Sequence, residues 1–174
     1  MELTTHQKTV KYAVYCLLIA CAGLLQNTPG LFWHLGTARC FLLLPVTLLL
    51  IVGERELPAA LLGLFAGCVW DLHAAKSAGF NALFFLLLCF CISAVMERFI
   101  RSTFVTHMLF ALPAPFLYGL LYWLCFIIIK GIDGGANTLF TFYLPSAVYT
   151  AAVTPILWFL LRPLRQRLNR KALL

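Results

Sequence analysis

Six apolar stretches follow one another along this chain, separated by short clusters of charged, glycine and proline residues. An α-helix needs about 20 apolar residues to cross a bilayer's hydrocarbon, so each stretch is weighed against that length. The first, 10–26, stops at Asn27-Thr28-Pro29-Gly30, which is strong turn chemistry, and Phe32 and Trp33 follow as interfacial aromatics. The second is the shortest. Its apolar part, 41–52, reaches span length only by starting at 35 and letting Arg39 extend to the headgroups. Gly53-Glu54-Arg55-Glu56 reads as a polar loop, and the third span, 57–72, ends on Trp70 and Asp71. The fourth is 80–95, with Glu97, Arg98 and Arg101 marking the next loop. The fifth, 107–129, is bent by Pro113 and Pro115; a glycine-rich hairpin precedes the sixth, 140–161, which is kinked at Pro155. A basic tail, 162–174, closes the chain. The pattern predicts an all-α integral membrane protein, a six-transmembrane-helix bundle forming one domain over 1–174.

Composition agrees. Of 174 residues, 63% are apolar and only 11% charged, against about 25% in soluble domains, which excludes a free cytosolic enzyme, disorder or a coiled coil. Mean hydropathy is +0.94. The net charge of +7 suggests nucleic acid only if basic residues cluster on a water-facing surface; here they punctuate apolar runs, so no nucleic-acid partner is expected. Their distribution instead orients the chain. With six spans, the inner face carries Lys8, Lys11, Arg55, Arg98, Arg101, Arg162, Arg165, Arg167, Arg170 and Lys171, and the outer face Arg39, Lys76 and Lys130. Ten against three places both termini in the cytoplasm. If the short second segment does not cross, the balance is nine against four with the N-terminus outside, so charge alone leaves five spans open.

Seven cysteines form no Cys-x-x-Cys pair and sit mostly in apolar stretches, as small packing residues do. Leu18-Ile19-Ala20-Cys21 resembles a lipoprotein processing box, but the apolar run continues through Ala22–Leu25 where a lipoprotein turns polar. The first stretch therefore reads as a retained span.

The third span holds Ala59, Gly63, Gly67 and Asp71 four residues apart, stacked on one helical face. Small side chains let another helix approach closely, either within the chain or from a partner. Asp71 lies about 21 Å along the axis from Leu57, near the outer boundary, where a carboxylate needs a donor. Arg39, Lys76 and Asn81 are the candidates. Gly79 suits a conformation closed to other residues, and Asn81 can cap the fourth helix or bond back toward Asp71.

These residues resemble a known family. Gly63-x-x-x-Gly67-x-x-x-Asp71 followed by Gly79-Phe80-Asn81-Ala82-Leu83 is similar to the signature region of the rod shape-determining protein MreD family. Leu144-Pro145, Tyr149-Thr150 and Thr154-Pro155 before a basic tail resemble that family's last span. One departure is Ala38-Arg39-Cys40, where members often carry a Pro-Asp pair. The resemblance implies a non-enzymatic, multi-pass scaffold of the bacterial inner membrane, in the cell-elongation complex that supports peptidoglycan synthesis and cell shape. It implies MreC as direct partner, with MreB and peptidoglycan synthases in the wider assembly, no cofactor, and a fold related to substrate-binding subunits of energy-coupling-factor transporters. Ala59, Gly63, Gly67 and Asp71 then form the partner-helix interface, Gly79 and Asn81 the signature loop, and Arg39 an outer polar contact.

The fold relation supplies the alternative, a vitamin-binding transporter subunit. Such a subunit needs aromatic and polar groups converging in an outer pocket, for which Trp33, Trp70, Asp71, Asn81, Trp123 and Tyr143 are available. Against it, the residue four after Ala13 is Leu17, not the alanine of the usual docking pattern. Catalysis has little to work with. His6, His34, His73 and His107 show no metal or catalytic spacing, and Ser77 has no evident activating base. Arg162, Arg165, Arg167, Arg170 and Lys171 carry no neighbouring acid and read as contacts to anionic lipid or a cytoplasmic partner.

Overall fold

Long apolar runs become helix because lipid offers the backbone no hydrogen bonds, so each segment must satisfy its own. The computed structural model describes residues 5–28, 37–72, 79–99, 103–129 and 135–170. Trp33, His34, His73, Lys76, Ser77, Arg101, Lys130 and Lys171, and the side chain of Arg170, lie outside the described residues. The order is α1 (Thr5–Asn27), α2 (Leu43–Ile51), α3 (Glu56–Asp71), α4 (Phe80–Phe99), α5 (Phe104–Ala111) and α6 (Ala114–Trp123). α6 runs on as a π-helical turn, Leu124–Ile128; α7 (Gly135–Thr138) and a second π turn, Leu139–Tyr143, lead into α8 (Leu144–Arg170). No strand occurs among the described residues.

Four helical runs are long and apolar enough to cross a membrane: His6–Asn27, Phe80–Arg98, Phe104–Ile128 and Leu139–Leu168. They correspond to the first, fourth, fifth and sixth stretches. The fifth is interrupted between Ala111 and Ala114, where Pro113 falls, and Pro115 lies in the first turn of α6 where a missing N–H costs nothing. α8 continues through Pro155 and Pro163 to Arg170, so the basic tail begins as helix. α3 has 16 residues, about 24 Å, less than the roughly 30 Å of hydrocarbon.

The second stretch differs most from its sequence reading. Only Leu43–Ile51 is helical, nine residues or about 14 Å, and all nine are buried. Pro45 sits in the first turn, where it needs no hydrogen-bond acceptor; deeper in an 18-residue helix it would remove one bond and clash with a carbonyl. Residues 39–41 before it are not helical, and α8 satisfies two of their amides. The Arg39 N–H donates to Ser146 Oγ at 2.9 Å and the Phe41 N–H to Thr150 Oγ1 at 2.9 Å, while the Leu43 N–H donates to Gln26 Oε1 of α1 at 2.8 Å. Ser146, Thr150 and Thr154 are fully buried at i, i+4 and i+8 on α8. Non-helical backbone is tolerated at membrane depth when protein covers it, and here α2 packs against α1, α3, α4, α5, α6 and α8.

Candidate functional site

α3 and α4 make the closest helix pair, for a reason visible atom by atom. A Cβ at Gly63 would lie 2.5 Å from the Phe85 carbonyl oxygen and 2.8 Å from Cys89 Cβ; one at Gly67 would lie 2.6 Å from the Ala82 nitrogen and closer still to Ala82 Cα and Asn81 O. Only glycine allows the two backbones to meet like this. Ala59 is fully buried on the same face. The small-residue ladder is therefore filled by α4 of the same chain, and a second protein's helix has no room on that face.

Asp71 closes one end of this pair. Its Oδ2 accepts from the backbone N–H groups of Gly79 and Ala82, both at 3.0 Å, and its Oδ1 from Asn81 Nδ2 at 2.9 Å. The carboxylate of one helix thus caps the next at its positive N-terminus. Gly79 makes this possible with φ +88°, a left-handed conformation that side chains resist. Asn81, fully buried, passes the network on: its Oδ1 accepts from Tyr118 Oη of α6 at 2.9 Å. Arg39 is not Asp71's partner. The polar contact expected from it is made by Asn81 and the Gly79 and Ala82 amides, at the start of α4. Arg39 instead lines a cavity of about 280 Å³ at the same end with Gln26, Trp70, Asn81, Tyr118 and Tyr143. Trp123 points elsewhere, its Nε1 donating to the Gly135 carbonyl at 2.8 Å.

The opposite end is built from charge. Glu54, expected in an exposed loop, is buried, with Lys11 Nζ 2.5 Å from Oε1 and Tyr12 Oη donating to Oε2 at 3.3 Å. Gly53, at φ 90°, turns the chain so that Glu54 points inward. The Ser93 hydroxyl donates to the Glu54 carbonyl at 2.5 Å, tying α4 to the same turn. Arg165, expected on a solvated tail, reaches into the bundle: its Nη1 donates to the Leu49 carbonyl at 3.1 Å and meets His107 Nε2. Arg162 stacks on Trp158, 4.8 Å from the ring centroid, and Arg167 is exposed. Tyr118, Ser146, Thr150, Glu54 and His107 were not singled out by sequence as members of these networks. Pairs 37 to 109 residues apart leave no local trace.

Among the described residues no three His, Cys, Asp or Glu side chains gather to hold a metal. The polar groups of both ends are spent on one another, an arrangement suited to holding helices in place. No curated protein and no solved structure matches the chain, so the likeness to energy-coupling-factor subunits and the vitamin-transporter alternative gain no support. The family model of rod shape-determining protein MreD matches residues 7–168, from the first turn of α1 almost to the end of α8. With that match spanning nearly the whole helical bundle, the chain belongs to the rod shape-determining protein MreD family, whose members are membrane proteins that act in setting cell shape.

Proposed function

We propose that this chain is a non-enzymatic scaffold of the bacterial inner membrane, with both termini cytoplasmic, that binds MreC directly and supports peptidoglycan synthesis together with MreB and the synthases. The family match over residues 7–168 carries the reading. The ten-to-three asymmetry of basic residues, counted for six spans, supports the orientation. The α3–α4 pair, fixed by Ala59, Gly63, Gly67 and Asp71, acts as a rigid two-helix unit. Its far side presents Leu57, Leu61 and Leu72, which are 70%, 56% and 83% exposed. That apolar stripe is the surface offered to the single transmembrane helix of MreC, and the glycine face sets its shape from behind.

Co-purification tests this. Leu61→Trp should reduce capture of MreC by the tagged chain while leaving insertion and thermal stability unchanged. Unaltered capture by Leu61→Trp combined with Leu57→Trp removes the stripe from consideration, and loss of capture in neither these nor the α3–α4 glycine variants removes direct MreC binding through this unit.

A further inference from the structure

Between the start of α5 and the C-terminal half of α8 lies a cleft of about 450 Å³, lined by Thr103, His107, Trp158, Arg162, Arg165 and Gln166 among others. We propose that it binds the phosphate group of an anionic phospholipid, one headgroup per chain.

Charge argues first. Two arginines line the cleft and, among the described residues, no acidic one does. Arg162 and Arg165 are three residues apart on α8 and so lie side by side. Both are held before any ligand arrives, which lowers the entropic cost of binding: Arg162 by the Trp158 ring, Arg165 by the Leu49 carbonyl and His107. His107 Nδ1 faces the Thr103 carbonyl at 2.7 Å and donates to it, leaving Nε2 as the acceptor for Arg165. Guanidinium forks match phosphate oxygens better than a point charge does, and the Thr103 hydroxyl and Gln166 amide add neutral donors at the wall.

Position selects a lipid over a free anion. The cleft opens where the apolar run Leu139–Leu168 meets its basic end, with Trp158 at the level such rings favour. Phe104, Phe159 and Leu160 are exposed beside it, a greasy surface for acyl chains next to a cationic seat. A diffuse basic tail would attract anionic lipid without stoichiometry; two pre-positioned arginines in a cleft bind one molecule. The proposal depends on membrane insertion and not on the MreC reading.

The test uses the full chain in mild detergent, mixed with equimolar phosphatidylglycerol and phosphatidylcholine and examined by native mass spectrometry. The wild type should retain one phosphatidylglycerol in preference to phosphatidylcholine. Arg162→Gln should lower that retention about fivefold, the scale of one cation beside an anionic headgroup, whereas Arg167→Gln, exposed on the same helix, should not. Arg165→Gln should act likewise, but it also releases the Leu49 carbonyl, so Arg162→Gln with unchanged thermal stability is decisive. Equal retention of the two lipids, or equal losses in Arg162→Gln and Arg167→Gln, overturns the site. Full displacement of the lipid by an equal concentration of glycerol 3-phosphate would make free phosphate the ligand and overturn the lipid assignment.

Discussion

The two ends of this bundle solve the same problem, ionisable groups among apolar helices, in opposite ways. At one end a carboxylate, Asp71, is answered among the described residues by dipoles: two backbone amides, the Asn81 amide and, through Asn81, a phenol. At the opposite end charges answer charges, Lys11 with Glu54, and two arginines line a cleft. A carboxylate held by backbone and amide dipoles makes that end a lock built by neighbours in sequence. The charged end ties α1, α2, α4, α5 and α8 together through residues far apart in the chain.

The largest expected effect falls on the α3–α4 lock. Gly67→Leu drives a side chain into the α4 backbone at Ala82 and should cost roughly 3 kcal/mol or more, read as a large fall in Tm in detergent or as failure to accumulate. A Tm near wild type would mean that α3 and α4 do not pack as closely as the contrast requires. Next comes the inner pair. Glu54→Gln leaves the Lys11 ammonium buried without its counter-ion and should lower stability by about 3 kcal/mol, and adding Lys11→Met should recover part of it. Additive losses in that cycle would dissolve the claim that charge answers charge there. Tyr118→Phe removes one neutral donor from Asn81, for about 1 kcal/mol by thermal unfolding, with Asp71 still capped. The smallest effect belongs to Arg98→Gln. Its 3.6 Å contact with Glu56 involves a side chain 71% exposed, and Tm should not move measurably.

Legibility in the sequence follows the reach of each interaction. The four long helices were readable because twenty apolar residues in a row have few other fates. Asp71 and Asn81, ten residues apart across one loop, were readable as neighbours; their link to Tyr118 was not, because 37 residues and a change of helix separate them. The glycine ladder announced a close helix approach without saying whose helix. Glu54 sat among Gly53, Arg55 and Glu56 and so looked like a loop residue, until its pairing with Lys11, 43 positions earlier, drew it inside. Arg165 resembled its exposed neighbours in the tail for the same reason. The second stretch did carry one local sign, Pro45, which fits the first turn of a short helix and not the middle of a long one.

That short helix imposes an order on biogenesis. The stretch leading into α2 leans on hydroxyls of Ser146 and Thr150, which leave the ribosome about a hundred residues later. Until they arrive, those amides need water or another escort, and the half-made bundle keeps an unfinished centre. Synthesis of α8 is the closing step that seals it, so a truncation before residue 146 should yield an open, protease-sensitive intermediate even though the earlier helices have already threaded the bilayer.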